Sequence, residues 1–236
     1  MKAVNIMIDL HTHILPGIDD GASDIKTSLE MLRDSSRQGV SLCVASSHIH
    51  PSNSSDVQDF LKKRQDAYAE LTKACQGEAV PDIVLGAEVH MDRDLSDIEG
   101  IHQLCMGDTH FMLVEFPFMS YPGSGCAEWL YNLNLKGITP IIAHIDRYSY
   151  RDELMENITG VKVVYQVNNA RMNDFFGRRF IKKLLATGYM VVMSSDMHNT
   201  GIRSCDMKKA YDIAKKKFPK FADGLFGKNA AVLLNL

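Results

Sequence analysis

Short apolar runs alternate with helical or polar stretches along nearly the whole sequence, and this alternation constrains the fold more than any other feature. Seven runs have the length and composition of buried strands: residues 4–8, 40–45, 83–87, 111–114, 139–143, 161–167 and 190–194. A chain that returns to pair in parallel needs a long crossover between strands, usually a helix. The pattern therefore predicts an α/β protein built on parallel strands.

Helices are predicted between most of these runs. Apolar residues recur at helical spacing over residues 25–32, 57–71, 129–135, 176–185 and 204–218, and Asn229 is expected to begin a last short helix. Ser23 is the predicted N-cap of the first helix, which Gly39 ends. Residues 117–126 are rich in Gly, Pro and Ser, and we interpret them as a loop. We predict a single domain over residues 1–236, a length that one large α/β domain can use.

The composition argues against several classes of protein. A net charge of -3 is too small to indicate a nucleic-acid partner or an anionic membrane surface. The apolar runs are strand-sized, whereas a transmembrane helix needs about twenty apolar residues, so no membrane insertion is expected. The N-terminal run has one Lys and no small-residue cleavage site, which is not typical of a signal peptide.

The five cysteines are odd in number, widely spaced and never in a C-x-x-C pair. This usage argues against a disulfide framework or a thiolate zinc site, and it favours a reducing compartment, the cytoplasm. Each cysteine is expected to pack as a small apolar residue rather than to act as a nucleophile.

Ionisable side chains follow six of the seven predicted strands. They are His11 and His13 with Asp19 and Asp20 close behind, His48 and His50, Glu88, Glu115, His144, and finally Asp196 and His198. Because the carboxyl ends of parallel strands meet at one rim, we expect these side chains to lie together. One such residue is usually a hydrogen-bonded structural group, but so many buried charges would be costly without cations.

This set of candidate ligands combines imidazole with carboxylate and contains no thiolate. Such ligands suit Zn, Mn or Fe rather than a structural cysteine site. The candidates exceed the number of ligands that one ion can use. We therefore predict two or three divalent ions that share a bridging carboxylate, an arrangement that holds the attacking and leaving oxygens of a phosphoester.

Several motifs resemble the polymerase and histidinol phosphatase (PHP) superfamily. They are Asp9-x-His11-x-His13, Gly86-Ala87-Glu88, Glu115-Phe116-Pro117, Ala143-His144 and Ser195-Asp196-x-His198. Two longer segments, Ile18-Asp19-Asp20-Gly21 and residues 135–144, narrow the resemblance. They are similar to the bacterial manganese-dependent protein-tyrosine phosphatases of the CpsB/YwqE type, which are encoded with capsule and exopolysaccharide genes.

This resemblance implies a distorted (β/α)7 TIM-like barrel with a trinuclear metal site. Mn is the first expected metal, with Fe or Zn as alternatives. The implied ligands are His11, His13, Glu88 and Asp196 for one ion, Glu88, Glu115 and His144 for the second, and Asp20, His48 and His198 for the third. Asp9 is expected to orient His11 rather than to bind metal.

Two arginines, Arg147 and Arg203, match family positions that bind phosphoryl oxygens, a role that suits the guanidinium fork. Ile145 and Asp146 replace the Pro and Glu that are usual in the family, so the position of Arg147 is the least constrained. The remaining histidines match no ligand position: His90 and His102 are expected at the surface and His50 in a turn, and His110 has no assigned role.

The activity implied by the resemblance is hydrolysis of a phosphotyrosyl protein, with a hydroxide that bridges two ions as the nucleophile. The implied substrate is the C-terminal tail of a bacterial tyrosine kinase of capsular or exopolysaccharide biosynthesis. Phe118 and Tyr121 are candidates to pack on the phosphotyrosine ring, with a core role as the alternative for both.

Three other functions remain open. One is a histidinol phosphatase or another small-molecule phosphoesterase of the PHP superfamily. The second is a nuclease or proofreading domain, which the charge and the lack of a basic, aromatic-rich stretch disfavour. The third is a catalytically silent, metal-binding regulator of a capsule kinase. The sequence also leaves oligomerisation open.

Overall fold

The computed structural model describes residues 6–236, so Val4 and Asn5 of the first predicted strand lie outside the described residues. The strands are β1 (Met7–Thr12), β2 (Val40–Ala45), β3 (His48–Ile49), β4 (Asp82–Leu85), β5 (Glu88–His90), β6 (Phe111–Glu115), β7 (Thr139–Ile142), β8 (Val164–Asn168) and β9 (Met190–Ser194). The α-helices are α1 (Ile25–Arg37), α2 (Ser54–Ala74), α3 (Gly125–Leu135), α4 (Arg151–Asn157), α5 (Phe175–Leu185), α6 (Met207–Lys217) and α7 (Asn229–Leu233).

Every strand pair in the described part of the chain is parallel, which confirms the predicted α/β class. The strands form two sheets, with the orders β1-β2-β4 and β3-β5-β6-β7-β8-β9. The hydrogen bonds of residues 6–236 define these two ladders rather than one closed barrel.

The structure has two more strand segments than the seven predicted, because β2 and β4 are each followed, after a two-residue break, by a further short strand that the sequence does not predict. The first break, at Ser46 and Ser47, separates β2 from β3, and the second, at Gly86 and Ala87, separates β4 from β5. The two breaks lie side by side, because Gly86 donates a backbone hydrogen bond to Ala45. A Cβ at Gly86 would lie 2.9 Å from Val44 Cγ1, so this close approach requires glycine.

The first and last strands meet at their carboxyl ends. An isolated parallel bridge joins Thr12 to Met197, and the backbone amides of Asp196 and His13 donate to the carbonyls of His11 and Met197, respectively. The chain segments that carry the first and last candidate ligands are therefore held together by the backbone itself.

The two faces of the strands pack against different cores. In β2, Leu42 and Val44 join an inner apolar cluster, whereas Cys43 joins a larger outer cluster between strands and helices. The C-terminal helix α7 packs into the inner cluster through Ala230 and Leu233. This alternation follows from the two-residue period of a strand, and it leaves the carboxyl ends of the strands for polar side chains.

Most predicted helices are present, with shifted ends. Asp24, not Ser23, caps α1, because its side chain accepts a hydrogen bond from the amide of Thr27. Helix α3 begins at Gly125 rather than Trp129, and α4 lies in a segment that the sequence had left unassigned. Among the described residues, no helix is both long and apolar enough to cross a membrane.

Candidate metal centre

All nine predicted metal ligands lie at or just beyond the carboxyl ends of β1, β2, β4, β6, β7 and β9, since the short strands β3 and β5 follow β2 and β4 after a two-residue break. His11 is in β1 and His13 follows it, His48 begins β3, Glu88 begins β5, Glu115 ends β6, His144 follows β7, Asp196 and His198 follow β9, and Asp20 is in the turn after β1. Asp20 is the most exposed of the nine and His48 is partly buried, whereas the other seven are buried. The structure thus brings together the side chains that the strand-end pattern selected.

Glu88 is the centre of this cluster, and it is completely buried. Its Oε2 atom lies 2.9 Å from His11 Nε2 and 3.2 Å from His13 Nε2, while its Oε1 atom lies 2.8 Å from His144 Nε2. Oε2 therefore faces His11 and His13, whereas Oε1 faces His144, as the oxygens of a carboxylate that bridges two cations would.

The first group combines His11, His13, Glu88 and Asp196. His11 Nε2 and His13 Nε2 are 3.1 Å apart, and they lie 3.5 and 3.6 Å from Asp196 Oδ1. Ligand atoms at about 2.1 Å from one cation lie about 3.0 to 3.4 Å apart in octahedral or tetrahedral geometry. The spacing of these four side chains is therefore close to that of a cation site.

The second group combines Glu88, Glu115 and His144, with His48 beside it. His144 Nε2 is 3.3 Å from Glu115 Oε1, and His48 Nδ1 is 3.1 Å from Glu88 Oε2 and 4.0 Å from Glu115 Oε2. His48 is therefore near both Glu88 and Glu115, in addition to its predicted place with Asp20 and His198.

The third group surrounds Asp20. Its Oδ1 atom lies 3.3 Å from His198 Nε2 and 3.5 Å from His48 Nε2. His198 Nε2 is buried and has no hydrogen-bond partner among the described residues. A buried nitrogen without a partner is costly, and a cation at this point would satisfy it.

The hydrogen bonds of the imidazole Nδ1 atoms indicate which nitrogen of each ring carries the proton. His11 Nδ1 lies 3.1 Å from Gln166 Oε1, His13 Nδ1 lies 2.8 Å from Asp19 Oδ2, and His198 Nδ1 lies 3.0 Å from the carbonyl oxygen of Asp196. These oxygens accept hydrogen bonds, so each neutral ring carries its proton on Nδ1 and directs the Nε2 lone pair into the cluster. Converging lone pairs suit a cation, so the residues present fit divalent metal ions.

Gln166 belongs to β8, the strand for which the sequence indicates no site residue, and so does a second polar residue of the site, Asn168. Asn168 Nδ2 donates to Asp196 Oδ2 over 3.0 Å and also contacts Gln166 through Oδ1. Asp19, for which the sequence predicts no separate role, has a side chain that is only 4% exposed and accepts hydrogen bonds from His13, Gly21 and His48. The pattern of ionisable residues at strand ends gives no signal for Gln166.

Asp9 does not have the predicted role. Its Oδ1 atom accepts hydrogen bonds from the backbone amides of His11 and Ser195, whereas the His11 ring contacts Gln166. Asp9 therefore fixes the backbone between β1 and β9, and the ring of His11 is oriented by an amide. Burial raises the pKa of Asp9 to about 6, although these hydrogen bonds oppose the shift.

Both predicted arginines reach Asp196. Arg147 Nη1 donates to Oδ2 over 3.1 Å, and Arg203 Nη2 donates to Oδ1 over 2.8 Å. Asp146 stands where the family usually has Glu, but this difference does not remove Arg147 from the cluster. The Asp146 side chain turns inward and accepts a hydrogen bond from the amide of Asn168. Together with Asn168 and Ser195, the arginines line a cavity of about 280 Å³ beside Asp196.

Protons on histidine balance part of the negative charge. Burial lowers the pKa of His13, but hydrogen bonds with Asp19 and Glu88 outweigh burial and raise the pKa to about 10. His144 behaves in the same way beside Glu115 and Glu88, with a pKa of about 9. Burial and the charge of His13 instead lower the pKa of His198 to about 4.

Two of the unassigned histidines lie beside this cluster. His90 was expected at the surface but is half-buried, with Nδ1 at 3.3 Å from Glu115 Oε2. His50, which was expected in a turn, is exposed and directly follows β3, and its ring centroid lies 4.6 Å from that of His90.

The two candidate aromatic residues differ in position. Phe118 is exposed at the edge of the centre, with its ring centroid 5.1 Å from that of His144 and 4.5 Å from the guanidinium carbon of Arg147. Tyr121 instead packs beside Tyr150 and contacts Asn157. Of the two, Phe118 is therefore the one at the metal centre.

The sequence of this chain is similar to known proteins over nearly its whole length. The family model described as capsular polysaccharide synthesis, CpsB/CapC, matches residues 7–235. The tyrosine-protein phosphatase YwqE of Bacillus subtilis is 30% identical over 97% of this chain and 91% of its own length. The tyrosine-protein phosphatase CpsB of Streptococcus pneumoniae is 31% identical over 94% of this chain and 96% of its own.

Comparison with solved structures agrees with these sequence matches. A structure reported among those of YwqE from Bacillus subtilis and CpsB from Streptococcus pneumoniae, described as unique metal-dependent tyrosine phosphatases, aligns with a TM-score of 0.79. It has 26% sequence identity and covers 97% of this chain and 94% of that chain. An organophosphate hydrolase engineered from a lactonase is similar in fold alone, with a TM-score of 0.52 and 12% identity over 96% of this chain and 94% of that chain.

Proposed function

Since the chain belongs to the CpsB/CapC family of capsular polysaccharide synthesis, we propose that it is a metal-dependent protein-tyrosine phosphatase. The resemblance indicated by its motifs is thereby confirmed at the level of the family. The observation that supports the activity best is the convergence of His and carboxylate ligands on Glu88, with Arg147 and Arg203 both at the adjacent Asp196. Histidine and carboxylate ligands beside guanidinium groups are suited to phosphate ester hydrolysis.

The proposal assigns two or three divalent ions to the centre, with Mn as the first candidate and Fe or Zn as alternatives, since imidazole and carboxylate suit all three. The proposed ligands are His11, His13, Asp20, His48, Glu88, Glu115, His144, Asp196 and His198. When bound, such ions would lower the pKa of water at the site and offset the charge of the phosphoryl group.

The protein's own side chains have separate tasks in this mechanism. Gln166 and Asp19 hold the rings of His11 and His13 with Nε2 directed inward. Arg147 and Arg203 are proposed to bind the phosphoryl oxygens, since both are partly exposed and lie at the cavity beside Asp196. Their positive charge would stabilise the negative charge that spreads over those oxygens in the transition state.

The leaving group supports an aryl substrate. A tyrosyl leaving group has a pKa of about 10, so it departs with less acid assistance than an alkoxide. Phe118 presents an exposed ring at the edge of the centre, where it can pack on the ring of phosphotyrosine.

We extend the proposal to the biological partner and compartment. The family description and the phosphatase names of the relatives favour a phosphotyrosyl protein of capsule synthesis, and we propose the C-terminal tail of a bacterial tyrosine kinase. All five cysteines are unpaired, which supports the cytoplasm. The family model spans nearly the whole chain, which supports one catalytic domain over residues 1–236.

The test is a comparison of substrates on protein purified without chelators and supplied with Mn. Hydrolysis of a phosphotyrosyl peptide should exceed that of a phosphoseryl peptide and of histidinol phosphate, and a chelator should abolish it. His11→Ala and Asp196→Ala should be inactive, whereas His102→Ala, an exposed histidine outside the cluster, should retain activity. Preference for histidinol phosphate would favour the small-molecule alternative, and no hydrolysis with full metal content would favour the silent regulator.

A further inference from the structure

A second cluster of metal-ligating side chains lies beside the proposed centre. His50, His90 and Asp92 each offer a ligand atom, and these atoms lie within 4.8 Å of one another. Neither the ligand pattern of the family nor the mechanism above uses any of the three. We propose that they form an additional binding site for a divalent transition-metal cation such as Zn²⁺.

The register of the strands explains why this cluster exists. His48 pairs with Glu88 and Ile49 with Val89 in the parallel ladder of β3 and β5. Side chains alternate across a strand, so His50 and His90 follow His48 and Glu88 on the same face, about 6.6 Å further along. Ile49 and Val89 point to the opposite face and are buried in the outer core. The ladder therefore presents a second pair of potential ligands next to the first.

The orientation of His90 favours a metal ligand. Its Nδ1 atom lies 3.3 Å from Glu115 Oε2, and a carboxylate accepts a hydrogen bond, so Nδ1 carries the proton. The neutral ring then has its lone pair on Nε2. A carboxylate that holds a histidine in this way is the common arrangement behind metal-binding imidazoles.

Asp92 supplies the carboxylate of the site. Its Oδ2 atom lies 3.2 Å from His50 Nε2, and its Oδ1 atom lies 3.3 Å from Arg93 Nε. The arginine thus occupies one oxygen and leaves the other beside His50. Two imidazoles and one carboxylate are a ligand set that binds Zn²⁺ with water in the remaining positions.

The exposure of the cluster fits a site that solvent and ions can reach. His50 and Asp92 are exposed and His90 is half-buried, so the cation would keep part of its water. An ion bound at about 2.1 Å requires its ligand atoms within about 4.2 Å of one another, so the side chains need only small rotations to close on it. Positive charge held here would lie beside Glu115, at the edge of the proposed active centre.

The experiment is equilibrium dialysis of the full chain against a series of chelator-buffered free Zn²⁺ concentrations, with bound zinc counted per chain. The wild-type protein should bind one equivalent more than the His50→Ala/Asp92→Asn double variant. The part of the isotherm at lower free zinc, which belongs to the central ligands, should be unchanged. A matched His102→Ala/Asp97→Asn variant, which alters exposed residues outside the cluster, should bind as the wild type does.

Anomalous diffraction from zinc-soaked wild-type crystals gives a second measurement that does not depend on a variant. A peak between His50, His90 and Asp92 supports the site. Equal zinc content in wild type and double variant, or no peak at the cluster, overturns it.

Mn-dependent hydrolysis of an aryl phosphate should be the same in the double variant as in the wild type. Failure of the proposed activity would show in both proteins and would leave the zinc isotherms interpretable.

Discussion

The side-chain oxygen of Gln166 lies 3.1 Å from Nδ1 of His11, and both residues are completely buried. The same oxygen accepts a hydrogen bond from the backbone amide of His144. One side-chain amide thus orients the ring of His11 and fixes the backbone of His144, and these two histidines face opposite oxygens of Glu88.

Replacement of Gln166 should weaken metal binding without removing a ligand. In Gln166→Leu the His11 ring loses its acceptor, and the loss of such an orienting partner typically costs about 10- to 100-fold in metal affinity. Titration of metal-free protein with Mn, followed by calorimetry, measures the change. Gln76→Leu, at an exposed position, is the control. Unchanged affinity in Gln166→Leu would show that the ring needs no partner.

Loss of either arginine should affect the substrate more than the metals. Arg147 and Arg203 each donate to one oxygen of Asp196, and they are proposed to donate to phosphoryl oxygens in the complex. A hydrogen bond to a charged group contributes about 1.5–3 kcal/mol, so Arg147→Ala and Arg203→Ala should each lower kcat/KM by about 10- to 100-fold.

The controls for the arginine variants are metal content and a distant arginine. Bound metal per chain should equal that of the wild type, and Arg37→Ala, which removes an exposed partner of Asp34, should leave kcat/KM unchanged. A loss of metal together with activity would instead make the arginines structural supports of Asp196.

The sequence predicted the rim of the site well because parallel strands have a simple geometric rule. Apolar runs end where polar residues begin, and a parallel sheet places those ends together, so His11, Glu88 and His144 could be grouped without a structure. The rule applies where ionisable side chains regularly follow apolar runs. It requires no information about which atoms face each other.

The orienting residues could not be predicted in the same way. Gln166 lies within β8 between Tyr165 and Val167, and an amide in this position gives no sign of its partner across the sheet. Asp19 and Asp20 are neighbours in a turn, and only the backbone there decides that Asp19 faces His13 while Asp20 faces His48 and His198. The breaks after β2 and β4 lie side by side where Gly86 approaches β2, and this tertiary contact has no signal in the sequence of either strand.

Metal binding should release protons near neutral pH. The pKa values of His13 and His144 in the metal-free protein are raised from 6.5 to about 10 and about 9, so both rings are charged at pH 7. A cation must displace these protons, and its affinity should therefore rise between pH 7 and pH 9. Calorimetric titration with Mn at pH 7 in buffers of different ionisation enthalpy measures the release. Binding heats that do not depend on the buffer would contradict the shifts.

The same shifts give the metal-free protein a pH-dependent stability of a defined sign. A raised histidine pKa stabilises the folded state fully below the unfolded value of about 6.5, and this contribution is lost as the pH rises through the folded values of about 9 and about 10. The thermal midpoint of chelator-treated protein should therefore fall between pH 7 and pH 10 by more than that of His13→Ala/His144→Ala. Parallel profiles of the two proteins would argue against charged rings at these positions.

Phe118 should determine the preference for aromatic phosphoesters. Its ring lies at the edge of the metal centre and also packs on the guanidinium of Arg147, so Phe118→Ala has two effects. Freeing Arg147 lowers the rates on every substrate alike, whereas loss of ring stacking, about 0.5–1.5 kcal/mol, lowers only the rate on an aryl phosphate. The ratio of kcat/KM for phosphotyrosine to that for an alkyl phosphate should therefore fall about 2- to 10-fold. Met119→Ala, at the neighbouring and fully exposed position, should leave this ratio unchanged, and an unchanged ratio in Phe118→Ala would assign Phe118 only to the positioning of Arg147.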